Sequence, residues 1–186
     1  MSEEPVDGRR ARGAKRRSEI IEATLAVVLR EGAAGVTHRA VATQAGVATS
    51  LSIYYFATLD DLLVAALSSV ADGYTERIRR IIDGPGDKLR GLAALIVESA
   101  GPGREKALAE RELSTLAARR PALAPIARHW RESVAALAAT LTDDPHAVDA
   151  VVAASDGLCT AILIENVPAD TDHVHRILAH ALGVDR

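Results

Sequence analysis

The chain is poor in the residues that most often announce chemistry. One of its 186 residues is a cysteine, Cys159, which excludes an intramolecular disulfide and a cysteine-rich zinc site. Aromatics make up 3% and hydrophobic residues 48%, so a real core is available but must be mostly aliphatic. No segment alternates polar and apolar residues as a half-buried strand requires. No apolar run reaches the roughly 20 residues of a membrane span, and no apolar stretch directly follows the N-terminal arginines as in a secretory signal. The expectation is a soluble cytoplasmic protein with no membrane partner. Enzyme signatures are missing as well: no glycine-rich phosphate loop, nucleophile elbow or two-histidine zinc helix. His173, His175 and His180 gather near the C-terminus, but the first two diverge on a helix and Arg176 opposes a metal ion. We therefore expect no enzyme activity, no metal and no cofactor.

The charge that is present is unevenly placed. A net charge of −3 argues against a nucleic-acid protein that relies on bulk positive charge. Yet Arg9, Arg10, Arg12, Lys15, Arg16 and Arg17 stand together without an acid, and residues 1–15 read as a basic, flexible tail. From Asp143 onward Asp144, Asp149, Asp156, Glu165, Asp170 and Asp172 face only Arg176 and Arg186. DNA contact at one pole fits this split.

The segment THRAVATQAGVATSLSIYYF, 37–56, carries the functional signal. Thr37 is a natural N-cap, Val41, Ala42 and Ala45 recur at helical spacing, and Gly46 frees the backbone to end the helix. Ala48, Thr49 and Ser50 open a second short helix with small residues, and Ile53, Tyr54, Tyr55 and Phe56 close it. Two short helices joined by a glycine turn form the unit that lays its second helix in the DNA major groove.

These residues, with the preceding IIEATLAVVLREGAAGV and the following TLDDLL, resemble the DNA-binding domain of the TetR family of bacterial repressors over roughly 16–67. The resemblance implies an all-α homodimer of about nine helices. A DNA-binding domain would occupy 16–57 and an effector-binding and dimerisation domain 58–186. It places Thr49, Ser50, Leu51 and Tyr54 nearest the base edges, Ala48 at the close-approaching start of the same DNA-binding helix, and Thr37, His38, Arg39 and Tyr55 by the phosphates. Val41 and Phe56 hold the two helices together. Many members carry basic residues where this chain has Thr49 and Leu59, and usually an aromatic where it has Ile53, so two phosphate contacts are missing.

The remainder reads as helices. Leu59 to about Ile82 forms a long one, with Asp60 and Asp61 suiting its positive end. DGPGD at 83–87 breaks it, a stripe of Leu89, Leu92, Ala93 and Ile96 follows, and GPG at 101–103 ends that. Helices over about 104–119, 123–141 and 146 to Asn166 come next, then a last one to Leu182 capped by Thr171 or Asp172.

The helix of HAVDAVVAASDGLCTAILIEN is apolar on two faces, one with Val148, Val152, Ser155, Cys159 and Ile162, the other with Val151, Ala154, Leu158 and Ala161. The second face, with Ile177 and His180 of the last helix, is expected to meet a second copy of the chain. A wholly internal helix in a monomer is the alternative.

A small-molecule effector would sit among the middle helices, near Tyr74, Glu112, Leu116, Trp130, Val134, Asp156 and Cys159. Each has a plainer reading: core packing for Trp130, a solvated edge for Glu112, an interfacial hydrogen bond for Asp156, an inert thiol for Cys159. With so few aromatics the lining should be Leu, Ile, Val and Ala, favouring an aliphatic or compact apolar effector over planar cations. By resemblance, the effector shifts the fourth helix and releases a palindromic operator in double-stranded DNA. A regulator with no effector and a helical enzyme are the two rivals.

Overall fold

The computed structural model describes residues 4–165 and 169–184, and all regular elements among them are helical. Ten α-helical segments follow in order: α1 Glu4–Glu31, α2 His38–Ala45, α3 Thr49–Tyr55, α4 Leu59–Asp83, α5 Lys88–Val97, α6 Arg104–Leu116, α7 Ala124–Ala127, α8 His129–Ala138, α9 Pro145–Thr160 and α10 Thr171–Leu182. Counting the single turn of α7 with α8 leaves the nine expected.

Local chemistry fixes the starts. Thr58 and Asp61 form a reciprocal capping box on α4: the Thr58 hydroxyl accepts from Asp61 N–H at 3.1 Å, and the Asp61 carboxylate accepts from Thr58 N–H at 3.0 Å. Asp87 caps α5 and Asp144 caps α9, with Pro145 in its first turn. The cap of α10 is Asp170, not Thr171 or Asp172, because its carboxylate reaches both the Asp172 and His173 amides at 3.2 Å.

Two aliphatic clusters form the interior. Ile20, Val27, Val28, Val41, Phe56, Leu62, Leu63 and Leu67 build the first, joined by Leu113 of α6 and Leu123. Ile78, Leu89, Leu92, Ile96, Val134, Leu137, Val151, Ile162 and Leu178 build the second. Helix α4 runs through both, so packing crosses the expected boundary at 57/58. At about 25 cal/mol per Å² of apolar area, each fully buried Leu or Ile contributes roughly 1.5–3 kcal/mol, which fastens α6 and α4 firmly to the N-terminal helices.

Several elements differ from expectation. The basic segment assigned to a flexible tail is helical from Glu4 and continuous with α1. Its first three residues and the side chain of Arg9 lie outside the described residues, as does the expected helix end at Asn166. The helix expected over 123–141 is broken at Arg128 between α7 and α8, and the sequence carries no signal for the break. Beyond Thr160 the α9 chain loosens into a π turn, Ala161–Glu165. Together they make a 21-residue helix, Pro145–Glu165, long and apolar enough by length and composition to cross a membrane, although Asp149 and Asp156 interrupt its apolar residues. In this fold one side of it packs on α8 and α10.

Candidate DNA-reading surface and effector cavity

Helix α2 presents its N-terminal end and α3 its whole outer side. Thr37 accepts from the Ala40 amide at 3.0 Å, starting α2. Gly46 ends it at φ 64°, a left-handed conformation that costs a side-chain-bearing residue about 1–2 kcal/mol. The turn aims Ala48, Thr49, Ser50, Ile53 and Tyr54 outward; Tyr54 is 79% exposed and Ile53 49%. Ser52 and Phe56 point inward, and Leu51 and Tyr55 are half-buried. Ile53, noted for standing at a usual aromatic position but not among the residues expected to contact DNA, shares this exposed side.

The expected phosphate residues divide. Arg39 is exposed, whereas the His38 Nδ1 is committed to the buried Ser52 hydroxyl at 3.0 Å and so ties α2 to α3. The Tyr55 ring meets that of Tyr54 edge-on, with centroids 5.2 Å apart. Its hydroxyl faces Gly13, where a Cβ would lie 3.7 Å from it. Arg17 lies over the Phe56 ring at 4.9 Å. The basic half of α1 therefore runs past the C-terminal end of α3, with Arg10, Arg12, Lys15, Arg16 and Arg17 exposed.

Further along α4 lies a small cavity lined by Tyr74, Ser99, Ala107, Glu110, Arg111, Trp130, Cys159 and Leu163, among others. Its volume is ≈ 20 Å³, room for one or two waters. Tyr74 and Trp130 meet edge-to-face with centroids 5.5 Å apart. The Tyr74 phenol is pushed up to about 12, first by burial and then by the charge of Glu110. Burial likewise pushes the Cys159 thiol up to about 12, which makes it an inert packing group. Glu110 is largely buried, and loss of hydration raises its carboxyl above the ordinary range against the opposing bond from Ser114, 2.5 Å long, and the Arg111 charge. The Arg111 Nε is buried without a hydrogen-bond partner. Glu110, Arg111 and Trp130 also border an open vestibule of ≈ 200 Å³ that holds Arg131 and Asp156, which are ion-paired.

Of the expected pocket residues, Tyr74, Trp130 and Cys159 line the cavity and Asp156 lines the vestibule. Val134 does not: it is fully buried in the second cluster. Leu116 packs instead on the first cluster, and the exposed Glu112 accepts a hydrogen bond from the Ala33 amide. Nor is the lining purely aliphatic, because two of the few aromatics converge there. Glu110 and Arg111 were missed, since helical periodicity marks which residues share a face but not what that face meets.

On the expected dimer helix Val151 is fully buried in its own chain, and Ala154, Leu158, Ala161 and Ile177 are partly covered. The open stripe is rotated by about one residue, to Ala150, Ala153, Gly157 and Ile164, the last 72% exposed. His180 is exposed on α10 beside it.

Residues 83–184, more than half of the chain, match the family model described as "Tetracyclin repressor-like, C-terminal domain". The chain belongs to the TetR family. Its members are DNA-binding transcriptional regulators, not enzymes. The multidrug binding protein EbrR, in complex with imidazole, is 38% identical over 92% of this chain and 97% of that one, with a TM-score of 0.78. Its ethidium complex superposes with a TM-score of 0.76 at 39% identity over 89% and 97% of the two chains, and it is also known with proflavin and malachite green. A TetR-family member from Streptomyces coelicolor A3 is 39% identical over 89% and 97%, with a TM-score of 0.81. The HTH-type transcriptional regulator PksA of Bacillus subtilis (strain 168) is 40% identical over 67 residues, 36% of this chain. That match spans one third of the length of PksA.

Proposed function

We propose that this TetR-family regulator is a homodimeric repressor, released from a palindromic operator by a planar, aromatic cation. The observation that carries the effector class is the largely buried Glu110 carboxyl beside the Tyr74–Trp130 ring pair. A cation brought there would restore to Glu110 the favourable interactions that burial removed, and the two rings offer it π faces. Ethidium, proflavin and malachite green, each bound by EbrR, are aromatic cations. This replaces the aliphatic effector expected from composition.

Dimerisation is supported by the small, open stripe on α9, which lets a two-fold partner approach closely. Each recognition helix would then enter a major groove, with Thr49, Ser50 and Tyr54 nearest the bases and Ile53 against thymine methyl groups. Arg39 and the basic half of α1 would supply phosphate contacts in place of those missing at Thr49 and Leu59.

A second reading, a regulator with no effector, draws on the size of the cavity, which admits no dye without opening. One experiment decides between them. Genomic fragments bound by the purified protein are selected over a salt series, and the enriched fragment is then titrated with ethidium. Enrichment of a palindrome, bound more weakly as salt rises, is expected, with release by ethidium at concentrations that leave Glu110→Gln, the control for the dye's own intercalation into DNA, still bound. Ethidium-resistant binding would favour the second reading, and no enrichment even at low salt would sink both.

A further inference from the structure

Helix α6 is linked to three other parts of the molecule by side chains. At its start the Arg104 guanidinium donates to the Leu163 carbonyl at 3.1 Å and to the Ile162 carbonyl at 3.5 Å, gripping the π turn. In its middle Arg111 donates to the Asp156 carbonyl of α9 at 3.4 Å. One residue further the Glu112 carboxylate accepts from the Ala33 amide, in the turn between α1 and α2. Ala107, Glu110 and Arg111, on the same helix, form one wall of the cavity.

The Glu112 contact is built into the turn. Ala33 opens a short 3₁₀ turn, Ala33–Gly35, and such a first amide has no partner within its own turn. Gly32 precedes it at φ 75°, and a Cβ there would stand 3.0 Å from the Glu112 Oε1. Glycine thus supplies both the left-handed backbone and the room for the carboxylate. The turn leads directly into Thr37 and α2, and through the His38–Ser52 bond to the reading helix.

A cavity with room for one or two waters cannot take a larger occupant unless a wall moves. Hydrogen-bonded helices move as units, whereas a hydrogen bond weakens steeply once its ends part or tilt. We infer that Glu112 is a positioning residue that ties the state of the cavity to the seating of the α1–α2 turn, and thereby to the placement of the reading helix. Filling the cavity displaces α6, draws the carboxylate off the Ala33 amide and loosens the turn. The inference rests on the cavity being the effector site, but its test needs no effector.

The measurement is amide exchange of Ala33 by NMR in the wild type, Glu112→Ala, Glu112→Gln and two cavity-filling variants, Ala107→Leu from α6 and Cys159→Phe from α9. Glu112→Ala should speed exchange at Ala33 by about tenfold, the equivalent of one charge-assisted hydrogen bond. Glu112→Gln, which keeps an acceptor oxygen but not the charge, should fall between Glu112→Ala and the wild type. Either cavity-filling variant should reproduce the acceleration at Ala33 while Leu67 and Leu137, deep in the two clusters, stay protected, and if one of them does not fold the other serves. Unchanged Ala33 exchange in Glu112→Ala, or in a folded cavity-filled variant, overturns the inference. Failure of ethidium to bind would refute the cationic effector and leave this result standing.

Discussion

Replacing Glu110 with glutamine keeps the shape of the side chain and an oxygen for the 2.5 Å bond from Ser114, but removes the charge. A ligand cation about 4 Å from the carboxylate gains roughly 4 kcal/mol at an effective dielectric of 20. Part of that offsets the hydration the ligand loses, and a charged contact nets about 1.5–3 kcal/mol. Ethidium should therefore bind Glu110→Gln about 10- to 150-fold more weakly, read from its fluorescence in an equilibrium titration. The pH dependence carries a second check. In the free protein desolvation raises the Glu110 pKa, whereas a bound cation favours the ionised form and lowers it. Affinity should rise with pH between the bound and free values and level off above the free one. Stability of the unliganded protein should run the other way. Because the folded pKa lies above the unfolded one, the native state holds the extra proton. That stabilisation is present in full below the unfolded value, about 4.3, and is lost as pH rises through the folded value. Glu110→Gln should flatten both curves. Equal ethidium affinity in the two proteins, or a flat wild-type profile, would refute the assignment of Glu110 as counter-charge.

The other surfaces make separate predictions. Ala153→Arg places a charge in the middle of the open α9 stripe; at about 4 kcal/mol for an unpaired buried charge, dimer dissociation should increase about a thousandfold. Sedimentation would reveal this as monomer, and an unchanged dimer would exclude the stripe as the interface. On the selected operator Arg39→Ala should weaken binding to all sequences and reduce the salt slope by about one, while Thr49→Ala should alter the preferred bases. If both variants behave alike in a binding assay over several salt concentrations, the division between phosphate and base contacts is wrong.

The reading head was legible because its signals are local. Thr37, Gly46 and the aromatic close at Phe56 act within one or two turns of themselves, and the structure gives each the role its chemistry implies. The same holds for Thr58 and Asp61 at the start of α4. The cavity was only half legible. Glu110 and Glu112 are two residues apart on one helix and would pass for equivalent surface acids. Packing sends the first into the cavity beside Tyr74 and the second out to the Ala33 amide. That difference depends on how α6 is rotated against α1 and α4, which Leu113 settles by inserting into the first cluster. Val151 shows the same limit: two apolar faces on a helix are visible in sequence, but not which one the chain keeps for itself.

The lone thiol acquires a use from where it stands. Cys159 lines the cavity, burial holds its pKa near 12, and no second cysteine competes for reagent. Alkylation at neutral pH is then slow, since only the solvated thiolate reacts quickly and the partly covered thiol is held protonated. The unmodified protein thus carries its own reporter: the rate at which iodoacetamide consumes its single sulfur follows changes in the cover and solvation of the cavity wall, with and without DNA.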